Sequence, residues 1–246
     1  MEKLRIDFTL PTGWSALTDR QLRYIYSLMA SDFTTDAIKT LCFLRFSATE
    51  VIGRNSSGAF LVRKEKIFFE IHPLDIAQML PAVGWIDEIP AFPVRPDRIR
   101  RRRRAIPADF SEVPFETFII CDNIYQGYLQ TSDDNLLDQL GEVLYPGARR
   151  FSPWQRIAIF YWMASLKAWL ASKYSDFFQP PASAGDNLLG SPSLSVEAAM
   201  NAQIRALTKG DITKEAQVLA LDTHRALTEL NAQAREYKEL NSKIKK

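Results

Sequence analysis

The chain has 246 residues, 46% of them hydrophobic and 24% charged, a balance that excludes wholesale disorder and suffices for one large core or two modest ones. Its net charge of +2 hides an asymmetry: residues 95–104, RPDRIRRRRR, hold seven Arg and one Asp, while the rest of the chain carries 24 basic and 28 acidic residues. One segment is strongly basic; the protein as a whole is not.

Residues 3–10 alternate, with Leu4, Ile6, Phe8 and Leu10 on one face, and this period of two predicts a half-buried strand. The same N-terminus lacks the apolar run of a secretory signal, so a cytoplasmic protein is expected. Thr18 is placed to cap a helix with the stripe Leu22, Ile25, Tyr26 and Met29, and a second helix is expected over 35–46. Val51-Ile52, 59–62 and 67–71 are short β-prone runs separated by turn-forming residues, which predicts a small antiparallel meander that the N-terminal strand could join. Asn55-Ser56-Ser57 matches a glycosylation pattern that has no meaning without secretion. His72-Pro73 opens a helix to about residue 83.

Four prolines, at 90, 93, 96 and 107, surround the arginine run, so 87–108 reads as a linker loop. It would divide an α+β region, 1–86, from a helical core, 109–178. Within that core Pro114 starts a helix apolar on nearly every side, Ser132 is expected to cap the next, and Ser152-Pro153 opens the longest, to about residue 178. The apolar run 157–170 is shorter than the ~20 residues a bilayer needs and contains Lys167, so it reads as a core helix. Residues 179–194, QPPASAGDNLLGSPSL, read as a flexible linker, and 195–246 as a helical tail. In that tail Gly210 would close one helix, and Asp211 or Thr213 would cap a second running nearly to the end. Its apolar positions Leu227, Leu230, Ala234, Tyr237 and Ile244 form a stripe too thin for a core, which suggests a seam for a partner helix. The expected fold is therefore mainly α with a small antiparallel β-meander near the N-terminus.

Chemistry is sparse. The only histidines, His72 and His224, lie in segments of different character, and no C-x-x-C, H-E-x-x-H, G-x-S-x-G or phosphate-loop string occurs. No catalytic, cofactor or metal residue is therefore assigned, and no enzyme activity or cofactor is expected. Cys42 and Cys121, each in an apolar stretch, read as buried free thiols. Asp122-Asn123 is a polar pair in an apolar helix, either a raised-pKa acid or a carboxylate satisfied by a neighbour. The strongest signal is Arg98, Arg100, Arg101, Arg102, Arg103 and Arg104. It can be a solvated loop, a contact for an acidic groove on a protein partner or second copy, or a weak nucleic-acid contact without aromatic stacking.

Three stretches, LPTGWSALTDRQLRYIYSLMA, VPFETFIICDNIYQGYLQTSDDNLLDQLGEVLYP and RALTKGDITKEAQVLALDTHRALTELNAQAREYKEL, together resemble uncharacterised proteins encoded in prophages of gut anaerobic bacteria, among phage structural genes near the tail module. The resemblance spans most of the chain but transfers no catalytic or binding residue. It implies a phage context and an assembly role, as a tail-assembly chaperone or minor virion component, virion-associated or cytoplasmic in the host. Protein partners or self-association through the tail helix would follow, by helix-in-groove binding.

Overall fold

A computed structural model describes residues 6–100, 103–178 and 196–244, with backbone alone at 100, 196–201 and 244. Contacts divide the chain into two units: Met1–Pro90 with Pro153–Ala158, and Ala91–Ser152 with Ile159–Lys246. The mainly helical composition and the small N-terminal sheet agree with the sequence pattern.

In the first unit, α1 (Asp19–Met29) begins where Thr18 and Gln21 form a reciprocal cap. The Gln21 amide donates to the Thr18 hydroxyl at 3.3 Å, and the Thr18 amide donates to the Gln21 side chain at 2.9 Å. Helix α2 (Thr35–Phe46) is capped by Thr34, whose hydroxyl accepts from the Ala37 amide. The buried stripes of the two helices, Leu22, Ile25 and Tyr26 with Ile38, Cys42 and Phe43, build this unit's core. Trp14 joins it, its indole N–H shared between the carbonyls of Trp85 and Glu88, both at 2.9 Å.

Strands β1 (Thr49–Arg54), β2 (Phe60–Lys64) and β3 (Ile67–Ile71) pair antiparallel in that order, with a bulge between Val51 and Gly53. One face buries Val62 and Ile71 against Ile76 of α3 (Pro73–Met79), which continues as a 3-10 segment, Leu80–Asp87. Asp75 caps α3 by accepting from the His72 amide.

The expected N-terminal strand does not form over residues 6–10. The alternation survives as burial: Ile6, Phe8 and Leu10 are half-buried and Asp7 and Thr9 exposed. Side-chain anchoring replaces ladder pairing, since Phe8 lies 5.4 Å from the Phe43 ring and Lys64 donates to the Asp7 carbonyl at 2.7 Å. A period of two specifies extended backbone, but it does not supply a neighbouring strand edge.

The second unit contains α4 (Phe115–Thr131), α5 (Asp134–Leu144), most of α6 (Pro153–Lys173), α7 (Ser175–Phe178), α8 (Val196–Thr208), α9 (Glu215–Leu219), α10 (Thr223–Ile244) and a two-stranded hairpin, β4 (Arg98–Arg100) with β5 (Arg103–Arg104). Phe110, Phe115, Leu140, Leu144, Tyr145, Ile159 and Trp162 are fully buried at its centre. Gly141 permits a close approach of packed side chains: a Cβ there would stand 2.6 Å from both Ile159 and Phe151. Asp122 is satisfied by an ion pair with Lys167, which ties α4 to α6. The cap of α5 is Asp133, which accepts from the Asn135 amide at 2.9 Å; Ser132, expected in that role, instead ends α4 in the left-handed conformation with φ 54°.

Two segments expected to be detached belong to this unit. The first is the expected linker loop, 87–108, which lies in this unit from residue 91 onward. Its prolines do not prevent packing, nor the short β4–β5 pairing: Pro93, Pro96, Ile99 and Ala105 are buried. The second is the tail. Its helices pack on α4 and α7, and the expected single last helix is broken at 220–222. There the chain bridges to the start of α4. The Phe115 amide donates to the Leu221 carbonyl at 2.7 Å, and the Thr223 amide donates to the Val113 carbonyl at 2.9 Å. Asp222 fixes the junction by accepting from the amides of Glu112 at 2.7 Å and Arg225 at 3.1 Å. The expected linker, 179–194, lies outside the described residues.

Candidate interaction hairpin

Each end of the arginine segment is tied to the helical core. At its base the Ala105 amide donates to the Asp97 carbonyl, and the Ile106 amide donates to the carbonyl of Leu144 at the end of α5, both at 3.0 Å. The buried Tyr145 hydroxyl donates to the Pro96 carbonyl at 2.9 Å, and the Trp162 indole donates to the Ala108 carbonyl at 2.7 Å. Arg95 is structural: it pairs with Asp97, donates to the Ile106 carbonyl at 3.0 Å and lies over the Trp162 ring at 5.4 Å. Between these anchors β4 and β5 pair Arg98 with Arg104 and Arg100 with Arg103, while Ile99 turns inward and is 8% exposed.

The result is a mounted display of positive charge. Arg98, Arg103 and Arg104 are exposed, and no carboxylate among the described residues pairs with them. The Arg103 guanidinium lies against Gly147, whose φ of 77° disfavours any side chain there. Arg149 and Arg150, both exposed, follow just after that turn. Sequence reasoning missed these two, because Pro146-Gly147 was read only as the end of a helix; the Arg-Arg pair after it was the available signal. The side chain of Arg100, and Arg101 and Arg102 altogether, lie outside the described residues.

The expected tail interface is corrected. Leu227 and Leu230 are 0% and 3% exposed and are part of this unit's core, so they offer no surface to a partner. Ala234 is half-buried, Tyr237 is 68% exposed beside the exposed Leu240, and the Ile244 side chain lies outside the described residues. The stripe looked thin because the buried face also uses Thr223 and Ala226, which a count of large apolar residues omits.

The remaining sequence candidates are structural. His224 is half-buried, with Nε2 2.8 Å from the Asp109 carbonyl and Nδ1 2.9 Å from the Tyr174 hydroxyl. A carbonyl only accepts, so Nε2 carries the proton and Nδ1 is free to accept from the tyrosine. The ring thereby ties α10 to Tyr174, just after α6, and to the backbone at Asp109. Burial raises the Asp109 carboxyl, but hydrogen bonds from the Ser111 hydroxyl and amide outweigh it, and the net direction is down. Both cysteines are buried and free, and burial pushes each thiol up to about 12. Among the described residues no group of three His, Cys, Asp or Glu could hold a metal, and no helix is long and apolar enough to cross a membrane.

Comparison with protein-family models, with curated proteins and with solved structures gave no match.

Proposed function

We propose that this chain is a non-enzymatic interaction protein of phage origin, a tail-assembly chaperone or minor virion component acting in the host cytoplasm, which meets an acidic protein surface through its arginine hairpin. The observation that carries this reading is the pairing of Arg98 with Arg104 across β4 and β5, with Arg103 exposed next to them and no described carboxylate paired with any of these three. Like charges on facing strands repel, and here the anchors at Pro96, Ile99, Ala105 and Ile106 hold the strands together against that repulsion. An acidic partner relieves the repulsion and gives each guanidinium a bidentate acceptor. The exposed end of the α10 stripe, Tyr237 with Leu240, supplies an apolar contact in addition to the electrostatic one.

A second reading, nucleic-acid binding, is favoured by the same rungs, because a phosphate backbone presents repeated anions to a row of arginines. The full chain titrated with a labelled polyglutamate peptide and with duplex DNA separates the two. The proposal expects polyglutamate binding that weakens with salt and falls at least about tenfold in an Arg98→Ser/Arg103→Ser/Arg104→Ser variant. DNA binding that persists at physiological salt and is lost in the variant puts the second reading first. Failure of the wild type to bind either polyanion removes both.

A further inference from the structure

The first unit carries a separate feature that the hairpin reading does not use. An open cavity of about 470 Å3 lies where α1 meets the end of α2, within the range of small-ligand sites. Its wall includes Arg20, Arg23 and Arg45, the rings of Tyr24 and Phe46, and no carboxylate.

The neutral polar groups of the wall are already engaged. Thr18 and Gln21 satisfy each other in the cap of α1, and the Ser27 hydroxyl donates to the Arg23 carbonyl at 2.7 Å. The guanidiniums are left as donors. Arg23 lies over the Trp154 ring at 5.0 Å, and Arg45 lies over the Tyr24 ring at 5.7 Å. Stacking leaves the N–H edges of a guanidinium available while restricting its rotation, which lowers the entropic cost of binding an anion. Ring packing accounts for Arg23, and complementing the C-terminus of α2 accounts for Arg45. Neither accounts for Arg20, one turn from Arg23, which is exposed and pairs with no described carboxylate.

Three cations around a cavity of this size select a compact polyanion, and phosphate matches the fork of arginine. The half-buried Tyr24 and Phe46, 6.4 Å apart and edge to face, add aromatic surface beside the cations. We infer that this cavity binds a nucleotide, with its phosphate held by Arg20, Arg23 and Arg45 and its base against Tyr24 and Phe46.

Calorimetric titration of the full chain with the four ribonucleoside monophosphates, with adenosine and with ribose 5-phosphate tests this. At least one monophosphate should bind with 1:1 stoichiometry, and both adenosine and ribose 5-phosphate should bind at least about tenfold more weakly. Arg20→Gln, an exposed change that touches no ring, should weaken the monophosphate at least about tenfold, as one charge-assisted contact requires. Arg98→Ser, in the other unit, should leave it unchanged. The inference is overturned if no monophosphate binds, if ribose 5-phosphate binds as tightly as the nucleotide, or if Arg20→Gln retains wild-type affinity.

Discussion

Leu227→Ala separates a docked C-terminal segment from a detachable one. Leu227 is fully buried, and its neighbours on the inner face of α10, Thr223, Ala226 and Leu230, are at most 3% exposed. Truncating a leucine in such a site removes its transfer energy and leaves a cavity, at a cost of about 2–5 kcal/mol. A leucine on a tethered, solvated helix would cost within about 0.5 kcal/mol. The two cases differ by more than the error of a urea titration, and the docked case moves the midpoint on the order of 1 M. Unfolding is followed by tryptophan fluorescence, because Trp162 and Trp169 report on the unit that contains α10. Tyr237→Ala is the control: at 68% exposure it should shift the midpoint little. Equal midpoints for Leu227→Ala, Tyr237→Ala and wild type would refute the docking of α10.

Gly141→Ala places a methyl group 2.6 Å from Ile159 and Phe151, and should destabilise by about 1–3 kcal/mol in the same titration. Cys42 and Cys121, their thiols pushed up to about 12 by burial, should ignore Ellman's reagent in the native protein and both react in denaturant. Asp109 has a folded pKa below its ordinary value of 3.8, so its carboxylate stabilises the fold above that value and the contribution is lost as pH falls through the depressed one. Ser111→Ala, which removes one of the lowering hydrogen bonds, should therefore melt lower than wild type at neutral pH, with the gap narrowing in strong acid.

Local rules were legible in the sequence where the signal itself was local. Thr18 with Gln21 marked the start of α1, the turn residues after Arg54 marked the β1–β2 hairpin, and Gly210 marked the end of α8 to within a residue, the left-handed exit beginning at Lys209. Legibility stopped where structure depends on distant partners. The prolines of 87–108 argue correctly against helix and strand through most of that segment, yet nothing local records that Tyr145 and Leu144 would hydrogen-bond it into place. The charged surface of α10 suggested a free helix, because its anchor is the backbone at Val113 and Phe115, more than a hundred residues earlier. The arginine run was visible as composition. Its pairing into opposed rungs was not, since that pairing depends on Ile99 finding a buried site. The cavity between α1 and α2 left no trace in the pattern, because Arg20, Arg23 and Arg45 are ordinary surface residues until two helices bring them together.

Arg98, Arg103 and Arg104 stand on a hairpin tied into the fold and do not ride on a solvated loop. Amide hydrogen exchange of Ala105 and Ile106, resolved by NMR in the full chain, tests it most directly. Both amides donate within the fold, to Asp97 and Leu144, so they should exchange slowly, with protection approaching that of the buried turns of α6. Exchange of both at the rate of an unstructured peptide would mean that the segment is a free linker, and the hairpin would lose its standing as a built interaction surface.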